Sequence, residues 1–238
     1  MKGMGDRVFA AYGAGEKGAR RASRNGAAVV VVDAFRASTT IAVLVRKGVR
    51  VIPVASIDEA AAYAGADYRI GERGSKKVRG FDFGNSPTEV EAAELKPGAM
   101  VVLSTTNGTR VIEAASGAPS ILAGAFVNAH AVADELASST YNVERVAVIG
   151  CGWEGRRASE DEAAASAILH RLRERGFELD GRADRVVGLY LERSGRSLRR
   201  NSAARRLVLL GYESDLDFCL AENTVPVVPQ LEGDAFVG

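Results

Sequence analysis

Val29-Val30-Val31-Val32-Asp33-Ala34-Phe35-Arg36-Ala37-Ser38-Thr39-Thr40 decides the fold class, because an apolar run ends abruptly in a carboxylate, an arginine and three hydroxyls. Strands of a parallel sheet are covered on both faces and read as unbroken Val/Ile runs, and ligands collect at their carboxyl ends. Asp33 stands at such an end. The segment carries two readings: Asp33 opens a turn and Ser38 caps the next helix, or Asp33 and Arg36 face a site.

The same grammar recurs twice. Met100-Val101-Val102-Leu103 runs into Ser104-Thr105-Thr106-Asn107-Gly108-Thr109-Arg110 and then into a helical pattern. A strand feeding such a loop and a helix leaves backbone N–H groups and hydroxyls aimed at one spot, which is an anion cradle. Arg145 to Gly150 ends in Cys151-Gly152-Trp153-Glu154-Gly155-Arg156-Arg157, and a helix opens at Ser159 with Glu160, Asp161 and Glu162. The Ser159–Glu162 spacing predicts a capping box.

Strand-like runs lie at Arg7–Tyr12, Ala27–Ala34, Val49–Ala55, Met100–Ser104, Ser120–Phe126 and Val143–Cys151. Helical spacing occupies Thr39–Lys47, Ile57–Ala64, Pro87–Leu95, Thr109–Ala115, Asn128–Ser138 and Glu160–Arg175. Alternation of this kind predicts a layered α/β fold, a mostly parallel sheet with flanking helices. The 238 residues are read as a single unit, 1–238, with room for two joined lobes at about 1–125 and 126–238. In the tail, Ser202–Leu210 and Asp215–Glu222 read as helices, and the prolines of Val225-Pro226-Val227-Val228-Pro229 predict an edge or extended segment.

Composition narrows the function. A formal net charge of +1 argues against a protein that coats nucleic acid. Two distant cysteines, Cys151 and Cys219, make no disulfide framework or zinc site and fit a reduced, cytoplasmic compartment. Without an apolar run near the roughly 20 residues that span a bilayer, the expectation is a soluble, intracellular protein with no membrane partner.

The long glycine-punctuated segment Gly71-Glu72-Arg73 to Gly80-Phe81-Asp82-Phe83-Gly84-Asn85-Ser86-Pro87 breaks the layered pattern, and loops of that length are usually functional or disordered. Phe81 and Phe83 argue against disorder, and Asn85-Ser86-Pro87 predicts a helix cap. With Asp33 to Thr40, Ser104 to Thr109, Gly124-Ala125-Phe126-Val127-Asn128-Ala129 and the Glu160-Asp161 pair, these segments occur in an order that resembles the 2-phosphosulfolactate phosphatase family. The resemblance runs from about Asp6 to Ser194-Gly195-Arg196 and Gly211-Tyr212. It implies magnesium-dependent hydrolysis of (2R)-phosphosulfolactate to sulfolactate and phosphate, a step of coenzyme M biosynthesis, in a homodimer.

The chemistry can be set against the residues directly. Magnesium takes one or two carboxylates plus waters, and Asp33, Glu160 and Asp161 are the proposed ligands. Asp33, Arg36, Glu72 and Arg73 form the catalytic set. Ser104, Thr105, Thr106, Asn107, Gly108, Thr109 and Arg110 form the phosphate-binding set, to which the resemblance adds Asn128. Arg36, Arg73 and Arg110 follow three strand ends, where guanidinium forks would suit a highly anionic ester.

Competing chemistries leave weaker traces. A haloacid-dehalogenase-like nucleophile would carry a second Asp two residues after the first, where Phe35 stands, so attack by water is preferred. Cys151 with Arg157 six residues on is a poor cysteine-phosphatase loop, because Glu154 would repel phosphate. Gly150, Gly152 and Gly155 form G-x-G-x-x-G after a strand, so a dinucleotide-binding oxidoreductase module is the alternative function, beside a noncatalytic binding protein on the same fold.

Overall fold

The computed structural model describes residues 8–138, 141, 143–192 and 195–238. Arg7 of the first expected strand, and Asp6 and Ser194 of the family-like segments, lie outside the described residues. In chain order the elements are β1 (Phe9–Ala14), α1 (Gly15–Arg24), β2 (Ala28–Val32), α2 (Ala37–Arg46), β3 (Arg50–Pro53), α3 (Ile57–Ala62), β4 (Tyr68–Arg73), β5 (Lys76–Lys77) and α4 (Pro87–Ala92). There follow β6 (Met100–Ser104), α5 (Gly108–Ala114), β7 (Ile121–Gly124), a 3-10 turn (Phe126–Asn128), α6 (Ala129–Ala137), β8 (Arg145–Gly150) and α7 (Ser159–Glu174). The last elements are β9 (Glu178–Leu179), α8 (Gly181–Glu192), α9 (Gly195–Leu198), α10 (Ser202–Leu209), α11 (Glu213–Cys219), β10 (Gln230–Glu232) and β11 (Ala235–Val237).

The strands form one sheet in the order β5-β4-β6-β3-β11-β10-β7-β2-β8-β1-β9. Its two wings are parallel, β4-β6-β3 on one side and β7-β2-β8-β1-β9 on the other. The α/β expectation therefore holds. A single sheet also runs through both proposed sub-lobes, since β1 and β2 each pair with β8.

The valine-rich strand β2 shows why. Every residue of β2 is buried, with Val29 and Val31 in the core beneath α1, α2 and α5, and Ala28, Val30 and Val32 in the core beneath α6, α7 and α8. Nine of the ten residues of α2 are buried, and this helix packs against β7 in one wing, β3 in the other and β11 between them.

The expected tail helices are α10 and α11, and what differs is where the proline-bearing segment goes. The proline-bearing segment leads into the middle of the sheet, where the β10–β11 hairpin joins the wings through single paired positions, Gln230 with Leu122 and Phe236 with Val51. Pro229 still serves the ladder because it needs only its carbonyl, which accepts from Ala123 N at 3.0 Å. Three helices escaped the periodicity: α1, whose buried face is only Ala19 and Ala22, α8, which buries Ala183, Val186 and Val187, and the four-residue α9. Helix α7 opens at Ser159 as expected, but Ala158 is its N-cap and no capping box forms, because Glu162 pairs with Arg157 instead. Among the described residues no helix is long and apolar enough to cross a membrane.

Candidate active site

The exits of β2, β6 and β8 and the end of β4 surround one pocket, lined by Asp33, Phe35, Arg36, Glu72, Ser75, Asn85, Asn107, Gly152, Trp153, Glu160, Asp161 and Arg206. Asp33 is placed by a turn that Ser38 ties rather than caps. The Ser38 hydroxyl donates to Val31 O (3.0 Å) and accepts from Asp33 N (2.9 Å), while Asp33 Oδ1 accepts from Ala37 N (3.3 Å) at the start of α2. Among the described residues, Asp33 Oδ2 accepts no hydrogen bond. It faces Gly108, where a Cβ would lie 2.9 Å from that oxygen and 3.2 Å from Ala37 Cβ, so only glycine lets the β6–α5 loop close on the carboxylate.

The other acidic groups join elements together. Buried Glu72 accepts from Thr106 N and from Ser75 N, both at 2.7 Å, and so couples the end of β4 to the β6 loop. Asp161 accepts from Ala34 N and Gly152 N, both at 2.8 Å, clasping the exits of β2 and β8. Glu160 accepts from Asn201 Nδ2 at 2.7 Å. Asn107 accepts from Glu154 N at 3.0 Å, which braces the β6 loop against the turn that carries Trp153.

These carboxylates repel one another in a desolvated space. Burial, then the charges of Glu72 and Glu160, push the Asp33 carboxyl up to about 7, against the pull of the Ala37 N–H and Arg36. Burial first, then Asp33 and Glu160, raise Asp161 well above the carboxylate range, and burial raises Glu160. Burial likewise holds Cys151 far above the usual thiol value, so it stays a neutral thiol and is a poor nucleophile.

The expected phosphate set divides. Asn107 lines the pocket and Gly108 abuts Asp33; the first N–H groups of α5 have no intrahelical acceptor, and that of Thr109 is taken by Thr105 Oγ1 at 3.4 Å. Ser104, Thr105 and Thr109 are buried within the loop itself. The Ser104 hydroxyl accepts from Arg73 Nη2 (3.1 Å), and Thr109 Oγ1 donates to Thr105 O (3.2 Å). The Thr106 hydroxyl is buried without a partner among the described residues. Arg73 is exposed and folds back over Ser104. Arg110 is not brought to the pocket but sits beside α1 with Glu16 and Arg20. Asn128 is also elsewhere: its carboxamide binds Ala125 N, Ala123 O and Val227 O, holding the 3-10 turn to the tail.

Arg36 reaches the pocket wall already partnered. Its guanidinium is 2.7 Å from Asp215 Oδ2, donates to Ser75 O at 3.0 Å and lies 4.3 Å from the Tyr212 ring centre, in a pair whose side chains are 1% and 0% exposed. Asp215 in turn accepts from the Ser86 and Thr88 hydroxyls. Asp215, Ser75, Asn85 and Arg206 are site residues that the sequence reading missed. Asn85 is 3% exposed, has φ of 75°, and its side-chain oxygen has no partner among the described residues. A glycine-flanked polar residue was its only signal, and helix capping by Ser86, which accepts from Glu89 N, absorbed it.

The glycine fingerprint has a different use. Trp153 N donates to Arg156 O (2.9 Å) and Arg156 N to Trp153 O (2.8 Å), a two-residue hairpin whose corners Glu154 and Gly155 have φ of 48° and 76°. The Gly152 N–H is engaged by Asp161, and α7 begins only at Ser159, so no phosphate-binding helix start follows the glycines.

Could these residues hold a cation? Asp33, Glu160 and Asp161, with the unpartnered Asn85 oxygen, give the pocket an all-oxygen, hard donor set whose mutual repulsion a dication would relieve. Among the described residues no three His, Cys, Asp or Glu side chains converge as a ready chelate. Magnesium itself keeps several waters and takes one or two carboxylates from a protein.

Fold and pocket together define an α/β enzyme with an acidic site at strand exits. A family model described as 2-phosphosulpholactate phosphatase matches residues 16–234. A protein named probable 2-phosphosulfolactate phosphatase from Gloeobacter violaceus is 37% identical over 210 residues, covering 84% of this chain and 86% of that one. Proteins of the same name from Thermotoga petrophila (36%, covering 87% and 90%) and Carboxydothermus hydrogenoformans (38%, covering 85% of each) are similar over the same extent. The chain belongs to the 2-phosphosulpholactate phosphatase family, as the order of its polar segments implied.

Proposed function

We propose that the protein hydrolyses a small anionic phosphate monoester, (2R)-phosphosulfolactate, to sulfolactate and phosphate with magnesium as cofactor. The observation that carries this reading is the meeting of Asp33 Oδ2 with the start of α5 inside a pocket of carboxylates. Phosphoryl transfer asks mainly for positioning and for charge stabilisation around the phosphoryl oxygens. The Gly108 N–H at the start of α5, with the Asn107 amide nitrogen, receives those oxygens, and Arg36 offers positive charge from a fixed position. Asp33 Oδ2 takes a proton from the attacking water as its oxygen bonds to phosphorus; the ester P–O bond breaks with its electron pair on the sulfolactate oxygen, which takes up a proton returned through Asp33. Glu72 orients the loop through Thr106 N, and Asp161 holds the exits of β2 and β8 in register. Magnesium, held by one or two carboxylates of the set Asp33, Glu160 and Asp161 together with waters, would supply charge neutralisation at the phosphoryl group and acidify a water.

A panel of anionic phosphate esters assayed with and without magnesium tests the reading. Turnover of phosphosulfolactate that chelation abolishes and magnesium restores, without zinc or a redox cofactor, is the expected result. Full activity in metal-free buffer, or saturable dinucleotide binding by calorimetry in place of hydrolysis, overturns it. The reading also carries a cytoplasmic homodimer, which sedimentation checks.

A further inference from the structure

The pocket is too small for its proposed substrate as the side chains stand. Its enclosed space is about 20 Å³, little more than one water molecule fills. On the other side of Arg206, Trp153 and Glu160 lies a groove of about 160 Å³, bounded also by Ala158, Ser159, Ser202, Ala203 and Arg157, whose guanidinium is paired with Glu162. Arg206, from the last turn of α10, is thus part of the partition between a deep acidic site and an open groove.

This partition is held by a ring stack, one hydrogen bond and the charge of neighbouring Glu160, whose carboxyl Arg206 pulls down against burial. The Arg206 guanidinium lies over the Trp153 ring, 3.7 Å from its centre, and only its Nε donates, to Ser75 Oγ at 3.0 Å. Its two terminal nitrogens donate to no protein atom among the described residues. A planar fork with uncommitted donors recognises an oxyanion bidentately, and a stack on indole is a modest restraint. Arg36, by contrast, is bound to a buried carboxylate and has little freedom to follow a ligand.

We propose that Arg206 is a movable substrate anchor that lifts from Trp153 to join the two spaces and then grips the strong-acid group of the ester remote from its phosphate, the sulfonate. This assignment rests on the phosphatase reading and adds to it the residue that selects the acidic tail. Movement of Arg206 should be visible, because Trp153 is the only tryptophan in the chain.

The test pairs an optical titration with kinetics on the purified full-length protein. Sulfolactate is expected to change Trp153 emission saturably in the wild type and not in Arg206→Met, while inorganic phosphate leaves the emission unchanged in both. Arg206→Met should raise KM for phosphosulfolactate about 30- to 100-fold with little change in kcat, and should alter KM for 2-phospholactate, which lacks the sulfonate, by less than about 3-fold. Arg206→Lys, which keeps a cation without the fork, guards against a Met variant that folds poorly, and should recover only part of the affinity. An equal rise in KM for both esters, or emission indifferent to sulfolactate in an enzyme that turns over the ester, overturns the proposal. A wild type that hydrolyses none of the esters yet still answers sulfolactate would sink the phosphatase reading and leave the anchor standing.

Discussion

Two arginines meet the same pocket and are held in opposite ways, with Ser75 between them. Its carbonyl accepts from Arg36 and its hydroxyl from Arg206. Arg36 is 2% exposed and completes a network that runs through Asp215 to Ser86 and Thr88. Arg206 is partly exposed, rests on an indole face and has one hydrogen bond. The same side chain is thus a fixed electrostatic wall in one corner and a displaceable cover in the other. What separates them is the contact each makes with its neighbouring carboxylate: Asp215 closes a buried ion pair with Arg36, whereas buried Glu160 acts on Arg206 through its charge, with no ion pair between them among the described residues. Removing one partner of a buried pair leaves an uncompensated charge, whereas a stacked surface cation can leave its place at small cost.

The comparison breaks most readily at Arg36. Arg36→Ala should lower stability by about 3–5 kcal/mol in chemical denaturation, because Asp215 is left buried without its counter-charge. It should also weaken transition-state stabilisation by roughly 2–4 kcal/mol in kcat/KM. Arg36→Met with Asp215→Leu should restore much of the stability and none of the activity. If the single variant melts like the wild type, Arg36 is no more fixed than Arg206.

Asp33, between the two corners, comes next. Asp33→Asn should reduce kcat by about 10²- to 10⁴-fold while making the metal-free protein more stable at pH 8. The sign follows from the raised carboxyl. A folded-state value of about 7 against an unfolded value near 3.9 means that the folded state holds the proton more tightly. Stability is then full below pH 4 as far as this group is concerned, and is lost as pH rises through 7. Melting of the metal-free protein should fall between pH 5.5 and pH 8, magnesium should oppose the fall, and Asp33→Asn should flatten it. A steeper fall in the variant would contradict the electrostatic account.

Ser75→Ala sharpens the contrast, since it deletes the sole hydrogen bond of Arg206 and keeps the carbonyl that serves Arg36. KM for the sulfonated ester should shift by about 2- to 10-fold, with melting changed by no more than about 1 kcal/mol. The smallest effect belongs to Arg110→Ala, outside the pocket, which should leave kcat and KM within about twofold.

How far the site was legible depends on the kind of signal each residue carries. Asp33, Glu72, Asn107, Glu160 and Asp161 each sit at a strand exit or in the first turn after one, where a break from apolar to polar residues marks them in the chain, and all five line one pocket. Arg206 and Asp215 lie on tail helices, where a charged residue on a polar face looks like any other, and only packing aims it at a site. Asn128 and Arg110 show the reverse error. Their segments have site-like composition, but the Asn128 carboxamide is turned inward to backbone groups and Arg110 points along the far side of α5 toward α1.

By itself the sequence determined the α/β class, because apolar runs and helical spacing are local properties read against one solvent rule. It also determined the acidic rim, because a polar residue that ends a buried strand has only the sheet's edge to occupy. Tertiary structure alone decided that the C-terminal hairpin joins two parallel wings, for the join rests on single long-range pairs that no local period announces. It decided the partners of the two arginines for the same reason: a guanidinium's role follows from the carboxylate or ring that folding brings to it, and those partners lie 179 residues away for Arg36 and 53 for Arg206.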